Sequence, residues 1–230
     1  MNSEPDKSPA PSAAAETTQQ RILSTALNLF NRHGVDRVAI YRIAAELGIS
    51  PGNLTYHFAK KQDLVLALIE RLEDESIEVL AMPHTPGAAE LSTYITRLFE
   101  FMCRYHFFFQ YPTLMSADER IASSYVKIMN NAQAASMRRI EDAIKFGDIS
   151  PIPAPNSPKF VAENMWAVWI HRLGLPRHQN EESNDIRETV YDCCLHHVSL
   201  IQPYASSKFI ARLHKEIRAN LGMDALELEG

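Results

Sequence analysis

The chain is expected to be all-α, with a small helical head near the N-terminus and a larger helical body behind it. Three observations lead there. Apolar residues return at spacings of three and four in one segment after another, the mark of helices that each bury one face. Glycines and prolines sit between those segments, where helices stop and start. No stretch reads as a strand, and no internal repeat is present. At 230 residues, 46% hydrophobic and 22% charged, the chain can bury a proper core.

Residues 1–15 are rich in Pro, Ser and Ala and carry too little apolar surface to order themselves, so a disordered tail is expected. Thr17 or Thr18 can cap a first helix to about residue 33, with Ile22, Leu23, Ala26, Leu27, Leu29 and Phe30 inward and Gly34 after it. Ile40, Ile43, Ala44 and Leu47 then predict a short helix ending at Gly48, where a left-handed residue suits a helix C-terminus. Ser50 is an N-cap and Pro51 a first helical residue, its missing N–H unneeded there. The two short helices are therefore joined by a turn of about three to four residues, a helix-turn-helix. Gly52, Asn53, Thr55, Tyr56 and His57 are left to face outward.

Lys60 and Lys61 open a long helix to about residue 80, with Leu64, Leu68, Ile69 and Leu72 buried. A breaker cluster at 82–87 precedes a helix over 88–110, which Pro112 stops. Further helices are predicted over 117–146, 158–173, 185–201 and 206–221. The helix over 158–173 is apolar nearly all round and must be covered on several sides.

Net charge is −5, which argues against a protein basic all over. Between residues 16 and 65 the cations Arg21, Arg32, Arg37, Arg42, Lys60 and Lys61 face only Glu16, Asp36, Glu46 and Asp63, a local +2 that leaves −7 elsewhere. A mildly basic head on an acidic body suits a protein that touches nucleic acid with one end. Cys103, Cys193 and Cys194 are odd in number and two are adjacent, which is no disulfide framework and fits a reducing cytosol. With no apolar run long enough for a bilayer and no cationic apolar leader, a soluble, cytoplasmic protein is expected.

The ordered run Ile43, Ala44, Leu47, Gly48, Ile49, Ser50, Gly52, Leu54, Tyr56, His57, Phe58, Lys61 and Leu64 resembles the DNA-binding motif of the TetR family of bacterial transcription regulators. The match extends upstream through Arg21, Ile22, Leu23, Ala26, Leu29, Phe30 and Gly34. Ala39 and Thr55 depart from it, standing where the family usually has Thr and Tyr. The resemblance implies a DNA-binding domain at 16–62 and an effector-binding, dimerisation domain at 63–230. It implies a homodimer on double-stranded operator DNA, most simply a repressor, released by a small-molecule effector. Ser50, Pro51, Gly52, Asn53 and Thr55 would meet DNA from the start of the second motif helix, Pro51 and Asn53 facing the bases and Asn53 able to pair with an adenine edge, and Tyr41 and Arg42 would lie beside the groove. Tyr56, His57, Lys60 and Lys61 would meet phosphates.

In the body, Phe99, Met102, Arg104, His106, Trp166 and Trp169 are candidates for lining an effector pocket, against plain core packing for each. Val161, Met165 and Val168, with the stripe Ile186, Val190, Cys194, His197 and Ile201, are candidates for a dimer face resembling the family's four-helix bundle. Adjacent cysteines on a helix point roughly 100° apart and do not grip one ion easily, so Cys193 and Cys194 read as interface residues and no metal or cofactor is expected. Cys103 with His106 lacks a third group for nucleophilic chemistry, so no catalytic residue is expected. An all-helical enzyme or carrier with an incidental helix-turn-helix is the alternative.

Overall fold

A computed structural model describes residues 17–110, 118–174 and 185–223; the tail at 1–15 and the stop at Pro112 lie outside them. Ten α-helices and one 3-10 turn are present among the described residues, and no strand, only an isolated antiparallel bridge between Ile149 and Ala205.

The head is α1 (Thr18–His33), α2 (Ile40–Leu47) and α3 (Pro51–His57). Thr17 supplies the first cap: its hydroxyl accepts from the Gln20 N–H at 3.2 Å, and its own N–H donates to Gln20 Oε1 at 2.8 Å. Ile22, Ala26, Leu27, Leu29 and Phe30 are buried, as their spacing predicts. The long link helix α4 (Lys61–Leu80) leaves the head and packs on the body helices α5 (Ala88–Arg104) and α7 (Glu119–Phe146). α7 packs on α8 (Pro158–Gly174), which pairs with α9 (Ile186–Ile201). α5 lies against α4, α9 and the last helix, α10 (Ser207–Asn220), so both its faces are covered. One hydrophobic cluster runs without a break from Ile22 in the head to Leu221.

The single helix expected over 88–110 is broken at Tyr105 into α5 and the short α6 (His106–Gln110). The cause lies in another helix. Asn31 of α1 donates from Nδ2 to the Arg104 carbonyl at 2.7 Å and accepts the Phe107 N–H on Oδ1 at 2.8 Å. A side-chain amide thus satisfies backbone groups that a straight helix would pair internally. Phe30 of α1 packs on Phe107, ring centroids 5.9 Å apart.

Candidate nucleic-acid interface and body cavity

The motif folds locally, for local reasons. Gly48 takes φ 66°, and its N–H and that of Ile49 return to the Ala45 and Ala44 carbonyls at 3.1 and 3.0 Å, closing α2 with a left-handed cap. Ser50 Oγ accepts the Asn53 N–H at 3.1 Å and starts α3 with Pro51 at its first position. Ala39, by contrast, gives α2 no side-chain cap. Ile43, Ala44 and Leu54 anchor the pair in the core. The outer surface is then Tyr41, Arg42, Ser50, Pro51, Gly52, Asn53, Thr55 and Tyr56, all exposed. Tyr41 is 71% and Tyr56 86% exposed, which is uncommon for aromatic rings unless they serve a contact. Tyr56 meets the edge of His57, centroids 5.3 Å apart.

Besides Ser50, three polar side chains on or beside this surface are already engaged. Arg42 Nη2 donates to His33 Nε2 at 2.8 Å. Burial and the neighbouring Arg42 and Arg32 charges push His33 below its ordinary value, which keeps that nitrogen an acceptor. Thr55 Oγ1 donates back to the Gly52 carbonyl at 3.1 Å. Lys61 Nζ donates to the carbonyls of Val35 at 2.9 Å and Asp36 at 3.5 Å, tying the start of α4 to the α1–α2 loop. Lys60 remains exposed beside it.

The body holds a cavity with about 430 Å³ of space free of protein atoms, its opening to solvent included. Its polar lining is Tyr94 of α5, Ser136 and Arg139 of α7 and His197 of α9. Leu91, Ile140, Ile149, Met165, Ile201 and Phe209 make most of the remainder. None of the six expected pocket residues lines it. Phe99 and Trp169 stand one layer out, boxing His197: the Trp169 ring stacks on the imidazole at 15° and 5.4 Å, and Phe99 meets it edge-on at 6.1 Å. Met102 is core, and Trp166 packs on Phe109 and Tyr125. Arg104 lies at the surface, its Nη1 on Glu75 Oε2 at 2.9 Å. Glu75 also accepts from the Tyr105 hydroxyl at 2.6 Å and from Arg71 at 3.2 Å. His106 Nε2 donates to the Leu173 carbonyl at 2.7 Å. The break in α5 is therefore a joint that holds α1 through Asn31, α4 through Glu75 and α8 through Leu173.

Most of the expected dimer residues face inward in the single chain. Val161, Met165, Val190, Cys194, His197 and Ile201 are buried within this one chain, Val190 at 0% exposure, so that stripe is the inward face of α8 and α9. Only Val168, half-buried, and Ile186, exposed, retain surface. The outward face of α8 carries Phe160, Asn164, Ala167 and His171 instead. Burial pushes the Cys194 thiol up, and Cys193 is pushed up by its neighbour Cys103 and by burial. Among the described residues no group of three or more His, Cys, Asp or Glu side chains is placed to hold a metal, and no helix is long and apolar enough to cross a membrane.

Two family models match the chain: the bacterial regulatory proteins of the tetR family over residues 22–68, and a bacterial transcriptional repressor model over residues 71–213. The chain belongs to the TetR family. Its helical architecture matches that of a TetR-family transcriptional regulator from Marinobacter aquaeolei VT8, with TM-score 0.72 and 26% identity over 89% of this chain and 98% of that one. SmeT, the repressor of the Stenotrophomonas maltophilia multidrug efflux pump SmeDEF, shares the fold alone, with TM-score 0.54 and 19% identity over 84% of this chain and 92% of that one. Among curated relatives, an HTH-type transcriptional regulator of Staphylococcus aureus is 44% identical over 57 residues, which span 25% of this chain and only 31% of the relative. What sequence reasoning missed in this TetR-family body is Arg139 as a cavity residue. The signal was present: Ile128, Ala132, Ala135, Arg139 and Ala143 recur at three and four on one face of α7, and all are buried.

Proposed function

We propose that this protein is a dimeric, ligand-responsive, sequence-specific DNA-binding regulator, most simply a repressor. The observation that carries the reading is the capped helix-turn-helix, which holds a rigid outward surface of Tyr41, Asn53 and Tyr56 around the exposed start of α3. Asn53 offers a two-point donor and acceptor to an adenine edge, and Gly52 lets the backbone approach the groove. Residues 16–62 act as the DNA head and 63–230 as the effector-binding and dimerising body. The outward faces of α8 and α9 join two copies, which sets two heads on successive major grooves of a near-palindromic operator.

An effector in the body cavity touches α5, α7, α8, α9 and α10 at once. The far end of α5 is the joint on Asn31 and Glu75, so a shift of α5 moves α1 and α4 and changes head spacing. Release follows only if the effector prefers one spacing over the other. The test is a gel shift on the DNA flanking the protein's own gene, with and without excess random competitor. Binding that survives competitor supports the reading; equal loss on both DNAs, or none bound, refutes it.

A further inference from the structure

Arg139 is the least expected residue in the body. The residue is 8% exposed, two turns before the end of α7, and makes no ion pair with a carboxylate among the described residues. Nη2 donates to the Met82 carbonyl at 2.5 Å, while Nη1 is buried with no hydrogen-bond partner. The group lies 3.4 Å over the face of Tyr94. Glu90 and Asp142 act on it only through space, and Asp142 is engaged by His84 at 3.3 Å. A buried cation with no counter-ion carries a large desolvation penalty that a cation–π contact offsets only in part.

Two more polar atoms facing the same cavity lack a partner of hydrogen-bonding geometry: the Tyr94 hydroxyl and His197 Nδ1. The Tyr94 hydroxyl and the Arg139 guanidinium lie close enough to interact, but neither they nor His197 Nδ1 have a hydrogen bond of good geometry, which is unusual in a native core, where such groups are nearly always paired. No acidic side chain lines the cavity. His197 is pushed down to about 4 by burial and by the Arg139 charge, so it is neutral near pH 7. The wall thus offers one fixed positive charge and two neutral groups able to donate a hydrogen bond. Ser136 adds a hydroxyl, and the rest of the lining is apolar.

We propose that the effector is a small amphipathic monoanion, a carboxylate on an apolar body, with its carboxylate on Arg139 Nη1, Tyr94 Oη and His197 Nδ1. The inference rests on the regulator reading for the meaning of the cavity. It goes further by fixing the ligand's charge and where that charge sits. One charge favours a carboxylate over a phosphate ester, whose second charge would have no cation here. The enclosed part of the cavity is only about 30 Å³, so a ligand of this kind widens it on entry. A carboxylate on Arg139 offsets part of its desolvation penalty, and a ligand that binds only the folded state raises body stability.

The test uses the full-length protein and a matched series: octanoate, octanamide, octanol and octyl phosphate. Thermal shift and titration calorimetry read binding without reference to DNA. Octanoate is expected to raise Tm and the three analogues to do so far less. Arg139→Met keeps the length of the side chain and removes the charge, so the variant should fold with an unchanged or higher Tm in the absence of ligand. It should bind octanoate about 10- to 100-fold more weakly, the range for losing one charged hydrogen-bonding partner. Tyr94→Phe, which keeps the ring under residue 139, should weaken octanoate by a smaller factor and leave octanol unchanged. If octanol or octanamide stabilises as well as octanoate, if octyl phosphate exceeds it, or if Arg139→Met binds octanoate as the parent does, the proposal is overturned. An absence of any octanoate binding overturns it too. The two readings fail separately: a protein that binds octanoate through Arg139 but binds no DNA refutes the regulator reading alone.

Discussion

Asn53 and Tyr41 have side chains with no hydrogen bond inside the chain among the described residues, unlike Arg42, Thr55 and Lys61 beside them. Free, exposed and on a rigid support, they are the side chains best placed to read bases. Asn53→Ala or Tyr41→Ala should cost about 1–3 kcal/mol on the operator and less on random duplex. Fluorescence anisotropy on both DNAs checks this, and equal losses would make them positioning groups. Lys61 is different. Its ammonium already donates to two carbonyls of the α1–α2 loop, with one N–H left over. Lys61→Met should therefore lower head stability by about 1 kcal/mol. If the ammonium also meets a phosphate, the salt slope of DNA binding falls by about 1 per head as well. A lower slope with unchanged Tm would mean that the loop contacts carry no stability. The turn that carries the motif was legible from sequence because its determinants are local: Gly48, Ser50 and Pro51 shape it within four positions. Arg139 was not, since beside Arg138 it reads as a solvated cation, and only its phase against Ala132, Ala135 and Ala143 turns it inward.

At the scale of elements, the joint at Tyr105 explains how a cavity and a head could share one equilibrium. The apolar pattern through Tyr105, Phe107 and Phe108 continues at helical spacing, so nothing local announces a break there. The break is made by Asn31, 73 residues away along the chain from Arg104, and no local pattern reaches that far. Asn31→Ala leaves the Phe107 N–H and the Arg104 carbonyl without their partner and should destabilise the fold by about 1–3 kcal/mol. If the joint transmits the effector signal, the same variant retains operator binding while the effector's power to release it drops. Chemical denaturation measures the first effect. An operator titration at saturating effector measures the second, and undiminished release would show that the signal travels through α4 and Glu75 instead. A linkage of this kind is a free energy shared by two sites, so it must appear also as a change in effector affinity when operator is bound.

The whole molecule is asymmetric in charge, with +2 between residues 16 and 65 and −7 elsewhere, so operator approach should be steered head first. The proposed dimer turns on α8 and α9. Sequence showed that α8 is apolar nearly all round, and such a helix carries no phase to tell its inner face from its outer one. The structure supplies that phase: Val161, Met165, Trp166 and Trp169 point into the chain's own core, while Phe160, Asn164, Ala167 and His171 point out. Phe160 is 50% exposed and Ile186 at the start of α9 is 46% exposed, apolar surface that a partner copy would cover. A charge at Val190 is then a poor probe of dimerisation, because it would disrupt the core before it could disturb an interface. Ala167 is the better site. It is small and exposed between Phe160 and His171, where two helices of a bundle could approach closely. Ala167→Arg should leave helix content and Tm nearly unchanged, since surface substitutions usually lie within about 0.5 kcal/mol. It should nonetheless convert dimers into monomers, if the joined faces bury the roughly 2,000 Å² or more expected of an obligate interface. Sedimentation velocity at micromolar concentration reads the state, and circular dichroism confirms the fold. Monomers should lose most operator affinity, because one head on one half-site forfeits the effective concentration that the second supplies. A folded Ala167→Arg protein that remains dimeric would move the contact off α8, and α10 would be the next face to probe.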